Sequence, residues 1–97
     1  MSEKVESADP FAKRLLAHYL GRRVSDVHLM KEALADCDFE RIRVTGHNMF
    51  GSGEAYGLKP ISDFGRAIEQ AALDKNTGDL SDMVDQLDTY LKGLVIS

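Results

Sequence analysis

Apolar and small residues recur along this chain at steps of three and four, and the stripes they draw predict helices from Pro10 onward. Asp9 can cap the first, with Pro10 in its opening turn and Phe11, Leu15, Leu16, Tyr19 and Leu20 as its apolar side. Gly21 is expected to bend or end it. Val24, Val27, Met30, Lys31 and Leu34 mark a second helix that closes at Asp36 to Asp38, and Asp38 can cap a third. That third helix spans Phe39 to Gly57, with a seam at Phe39, Ile42, Gly46, Met49, Gly53 and Tyr56 and Gly57 as its stop. Pro60 opens a fourth, with Ile61, Phe64, Ile68 and Ala71 or Ala72 facing inward, and Asn76-Thr77-Gly78 breaks the chain. The last stripe, Leu80, Val84, Leu87, Leu91 and Leu94 with Met83 and Tyr90 beside it, runs to the C-terminus.

No alternating β-branched run or Asn-Gly turn interrupts these patterns, so the fold class is all-α. Short connections make sequential helices antiparallel neighbours, which predicts an antiparallel up-down four-helix bundle with an additional short N-terminal helix laid across one end. With 97 residues the chain has room for one such domain, 9–97, after a flexible tail over 1–8.

Charge changes this picture little. The net charge is −4, with eight basic and eight acidic residues in 1–48 against four and eight in 49–97. Asp79, Asp82, Asp85 and Asp88 read as a solvated helix face whose first members suit the helix N-terminus. Arg22, Arg23, Arg41 and Arg43 are interspersed with acids and lack a row of exposed aromatics, so no nucleic-acid partner is expected. The polar N-terminus and the absence of a long apolar run predict no membrane association and a cytoplasmic location. Cys37, the only cysteine, allows no intrachain disulfide and reads as a small structural residue near a helix end.

Candidate chemistry narrows to one residue. His18, His28 and His47 have neither the spacing nor the companions of a zinc site, and no Glu-x-x-His occurs, so no metal is expected. No phosphate loop or nucleophile elbow is present, which excludes a kinase of a recognised type. His18 and His28 sit in ordinary amphipathic patterns. His47 lies outside the seam of its helix, in a stripe with Arg43, Phe50, Gly51 and Glu54 that faces solvent. Gly51 costs about 1 kcal/mol inside a helix, and because helical side chains lean toward the N-terminus, its missing side chain is the one that would crowd the imidazole. Gly53, on the seam, suits close approach of a neighbouring helix.

The run His47-Asn48-Met49-Phe50-Gly51-Ser52-Gly53, followed by Tyr56-Gly57, resembles the signature of the histidine-containing phosphotransfer (HPt) domain, H-x-x-K-G-S with small residues, an aromatic and a glycine after it. Ala33-Leu34, Asp38-Phe39 and Ile61-Ser62-Asp63-Phe64-Gly65-Arg66-Ala67-Ile68-Glu69 are similar to the family as well, so the resemblance runs from about Phe11. One position departs: the family's lysine three residues after the histidine is Phe50. The resemblance implies a phosphoryl carrier and not an enzyme, taking a phosphoryl group on His47 from a receiver-domain aspartate and passing it to another receiver. It implies a docking and phosphoryl environment of Arg43, Asn48, Phe50, Gly51 and Glu54, and a monomer whose partners are response-regulator receivers and a hybrid histidine kinase. No cofactor of its own is implied, Mg²⁺ being expected on the receiver. Phe50 and the negative charge of Glu54 leave an alternative open, an HPt-like interaction module that binds receivers through the His47/Phe50/Gly51 face without transferring phosphate.

Overall fold

The computed structural model describes residues 3–5 and 9–96. Four helices carry the fold: α1 over Pro10–Ala35, α2 over Phe39–Ser52, α3 over Lys59–Leu73 and α4 over Thr77–Gly93. A single 3₁₀ turn, Glu54–Tyr56, follows α2. Two three-residue strands, β1 (Glu3–Val5) and β2 (Leu94–Ile96), pair in parallel with Glu3 opposite Leu94.

Three tight turns of similar construction direct the helices. After α1, the N–H of Cys37 bonds the carbonyl of Leu34 at 3.1 Å and the N–H of Asp38 bonds that of Ala33 at 2.8 Å, with Cys37 in the left-handed region at φ 56°. After α3, Lys75 (φ 54°) and Asn76 repeat this with the carbonyls of Ala72 and Ala71. The residue that ends each of these two turns caps the next helix: the Asp38 carboxylate accepts from Arg41 N–H, and the Asn76 side-chain oxygen accepts from Asp79 N–H. Gly57, at φ 75°, makes the third turn with no strain from a side chain.

Each helix packs chiefly against two others, α1 with α2 and α4, and α3 with α2 and α4. Val27, Met30, Ile42, Met49, Leu58, Ile61, Ile68, Leu80, Val84 and Leu87 are fully buried between them. Burial of side chains of this size contributes about 1.5–3 kcal/mol apiece.

The expected break at Gly21 does not occur. Residues 10–35 form one helix of 26 residues, about 39 Å at 1.5 Å per residue, which accounts for the 42 Å long dimension of the molecule. The separate short N-terminal helix is therefore the first half of α1. Leu16, Tyr19, Leu20, Arg23, Val27, Met30 and Ala33 make one unbroken buried stripe, whose packing outweighs a glycine that sits exposed with nothing near it. Arg23 hid this continuity, because a buried arginine interrupts an apolar pattern. The other differences are at helix ends. Thr77 and Gly78 lie in the first turn of α4, and the extended backbone of Leu94 (ψ 136°) leads into β2 where a helix was expected. The tail expected over 1–8 falls outside the described residues except for Glu3–Val5, which pair with β2. No described helix is long and apolar enough to cross a membrane.

Candidate functional site

Helices α2 and α3 meet backbone to backbone. A Cβ on Gly46 would stand 2.8 Å from Gly65 O and 2.9 Å from Glu69 N, and one on Gly53 would stand 2.5 Å from Ser62 N. A Cβ on Gly65 would lie 2.5 Å from Gly46 O and closer still to Phe50 N. Residue numbers fall along α3 as they rise along α2, so the two helices are antiparallel. With glycines at the points of closest approach, the residues flanking this seam on each helix come together at the surface.

His47 is one of these. Its side chain is 63% exposed, and its Nδ1 lies 3.0 Å from Oε2 of Glu69, a carboxylate only 21% exposed. An ionised carboxylate only accepts, so Nδ1 carries the hydrogen, and whenever the ring is neutral Nε2 holds the lone pair. Nε2 makes no hydrogen bond among the described residues.

The other expected site residues do not all gather around His47. Arg43 leans toward the helix N-terminus, where its Nε donates to Glu40 Oε2 at 2.9 Å and its Nη2 pairs with the other carboxylate oxygen. This contact holds the exposed Glu40 carboxyl below the usual range and raises the Arg43 guanidinium further. Arg43 Nη1 also lies 4.0 Å from Glu69 Oε2. Phe50 is 43% exposed, with the Arg66 guanidinium 5.9 Å from its ring centroid. Gly51 is exposed, and a Cβ there would meet nothing within 4 Å, so the space one turn beyond His47 is open.

Asn48 and Glu54 lie apart from these. Asn48 faces α1 and lines an open cleft of about 320 Å³ with Arg22, Arg23 and Ser52. Here side chains fill the gap between helices: the rings of Tyr19 and Tyr56 stack at 4.0 Å, Tyr19 OH and Ser52 Oγ are 2.7 Å apart, and the guanidinium of Arg23 lies 4.5 Å above the Tyr19 ring. Arg23 pairs with Asp26 at 2.7 Å, yet burial pushes the Asp26 carboxyl up by more than the arginine draws it down. Glu54 is exposed in the 3₁₀ turn, its N–H donating to Ser62 Oγ at 2.9 Å. Tyr56, expected on the seam, is rolled out by that turn onto Tyr19.

Glu69 and Arg66 escaped the sequence reading of the site because they are some twenty residues from His47 in sequence. Gly65 carried the missing signal: set against the glycines of α2 in an antiparallel pair, it places Glu69 beside His47 and Arg66 beside Phe50. His18, His28 and Cys37 are all exposed. Among the described residues no group of three or more His, Cys, Asp or Glu side chains is placed to hold a metal ion. No protein-family model, curated protein or solved structure matches this chain.

Proposed function

We propose that this chain is a phosphoryl carrier of the histidine-containing phosphotransfer kind, with His47 as acceptor and donor. The observation that carries the reading is the state of His47: mid-helix, 63% exposed, Nδ1 held by Glu69 and Nε2 open to an approaching partner. Nε2 attacks the phosphorus of a receiver's aspartyl phosphate in line. The N–P bond forms as the P–O bond to the aspartyl carboxylate breaks, and the carboxylate leaves with the electron pair. Glu69 fixes the tautomer and offsets positive charge as it develops on the ring, the role a carboxylate plays beside a catalytic imidazole. The reverse step hands the group to a second receiver's aspartate.

The chain's own contribution is position and an accessible surface, and the receiver brings its acidic pocket and Mg²⁺. Gly51 supports the reading, since its open space admits a partner to Nε2. The ring of helix contacts and the short turns support an up-and-down antiparallel bundle. We take this bundle to act as a cytoplasmic monomer. One observation favours a second reading. Phe50 offers an exposed aromatic surface beside Gly51, as expected of an HPt-like module that only binds receivers.

Incubation with a phosphorylated receiver separates the two. The carrier gains an acid-labile, base-stable phosphate that His47→Gln abolishes, while the variant's stability stays within about 0.5 kcal/mol because the side chain is exposed. Receiver binding without any phosphate on the chain leaves the interaction module. A large loss of stability in His47→Gln rejects the site.

A further inference from the structure

A phosphoryl group on Nε2 brings nearly two negative charges to a surface that already holds the carboxylate of Glu69. Arg43 is already shared between two carboxylates, bound to Glu40 through two nitrogens with the third 4.0 Å from Glu69 Oε2. Arg66 is placed differently. It is exposed, pairs with no carboxylate among the described residues, and its guanidinium lies over the Phe50 ring.

The antiparallel seam makes a four-cornered arrangement. Phe50 is one turn beyond His47 on α2, and Arg66 is one turn before Glu69 on α3. Glu69 reaches across to His47, and Arg66 reaches across to Phe50. Three residues are about 4.5 Å of rise, within the reach of an arginine side chain. On the reading of His47 as phosphoryl acceptor, we propose that Arg66 is the cation that binds the phosphoryl oxygens on Nε2, with the Phe50 ring as its resting place. At 5.9 Å from the centroid the ring contact is near the limit for a cation–π interaction, so the guanidinium leaves it at little cost. Guanidinium offers phosphate two parallel N–H donors, which a ring-bound arginine can present by rotating about its terminal bonds. The position three residues after the histidine thus holds the platform, and the charge comes from the neighbouring helix.

The test uses the full chain and phosphoramidate, a small donor that needs no docking surface, beside a phosphorylated receiver. The readouts are the ³¹P titration of phosphorylated His47 and its lifetime. Arg66→Gln raises the apparent pKa of the phosphoryl oxygens by about half a unit or more, since a neighbouring cation favours their ionised form. It also shortens the lifetime three- to tenfold and leaves the melting temperature unchanged. Both effects shrink in about 1 M salt. Arg66→Lys keeps part of each, and Phe50→Lys added to Arg66→Gln restores a cation and moves both readouts back toward wild type. Identical titration and lifetime in wild type and Arg66→Gln overturn the role of Arg66 alone. A wild-type chain that accepts phosphate from neither donor overturns the carrier reading and this inference with it.

Discussion

Helix α2 meets α3 through backbone and meets α1 through side chains, and the two flanks leave different surfaces. On the α3 side, Gly46, Gly53 and Gly65 let the helices touch, so exposed residues of one helix reach those of the other: Glu69 reaches His47, and Arg66 reaches Phe50. On the α1 side, Tyr19, Arg23 and Tyr56 fill the gap, and their polar atoms are largely taken up by Ser52 and Asp26. Close approach therefore produces an addressable histidine with a carboxylate behind it. Side-chain packing produces a cleft whose groups are mostly committed to holding the helices together.

The largest expected effect comes from forcing the first flank open. Gly65→Ala places a Cβ against the backbone of Gly46 and Phe50, contacts that no rotamer can relieve. Overpacking of this kind should cost about 2–3 kcal/mol, in spite of the roughly 1 kcal/mol that alanine contributes in a helix. Urea denaturation should show it, together with slower phosphoryl transfer as Glu69 is lifted from His47. An unchanged midpoint would mean that the helices do not touch here.

The second flank should behave in the opposite way. Tyr19→Phe removes the hydroxyl that meets Ser52 and should cost about 1 kcal/mol, with phosphoryl transfer to His47 unaffected. If transfer falls along with stability, the α1 cleft belongs to the site. The smallest effect on stability is expected at Gly51, where leucine meets open space and is the better helix former. Gly51→Leu should keep or raise the melting temperature while weakening receiver binding; unweakened binding would place docking elsewhere.

Much of this arrangement is readable in the sequence, and what is not has identifiable physical causes. The stripes of the third and later helices predict their buried residues well, because each has one clear apolar side: Ile42, Met49, Ile61, Ile68, Leu80, Val84 and Leu87 are all buried. Asp38 marks the start of α2 through its cap, a local effect, whereas α2 ends at Ser52 and not at the expected Gly57, whose left-handed backbone closes the 3₁₀ turn that follows. The continuity of α1 was hidden because Arg23, paired with Asp26 one turn on, is also held by Ser52 on another helix, a contact that periodicity within α1 does not encode. Exposure of His47 and the space at Gly51 follow from one helix's periodicity. Glu69 does not, since its place beside the imidazole depends on how α3 sits against α2. Tyr56 left its expected seam because the 3₁₀ turn changed the rotation per residue, which apolar spacing does not encode.

On the proposed function the contrast between the flanks rests on a single atom, Nε2 of His47, with Nδ1 held by Glu69. The most direct measurement labels the imidazole with ¹⁵N, phosphorylates the chain from a phosphorylated receiver, and asks by ³¹P–¹⁵N coupling which nitrogen bears phosphorus. The account predicts phosphorus on Nε2 of His47, with Nδ1 protonated before and after transfer. Phosphorus on Nδ1, on another residue, or nowhere on the chain would contradict it.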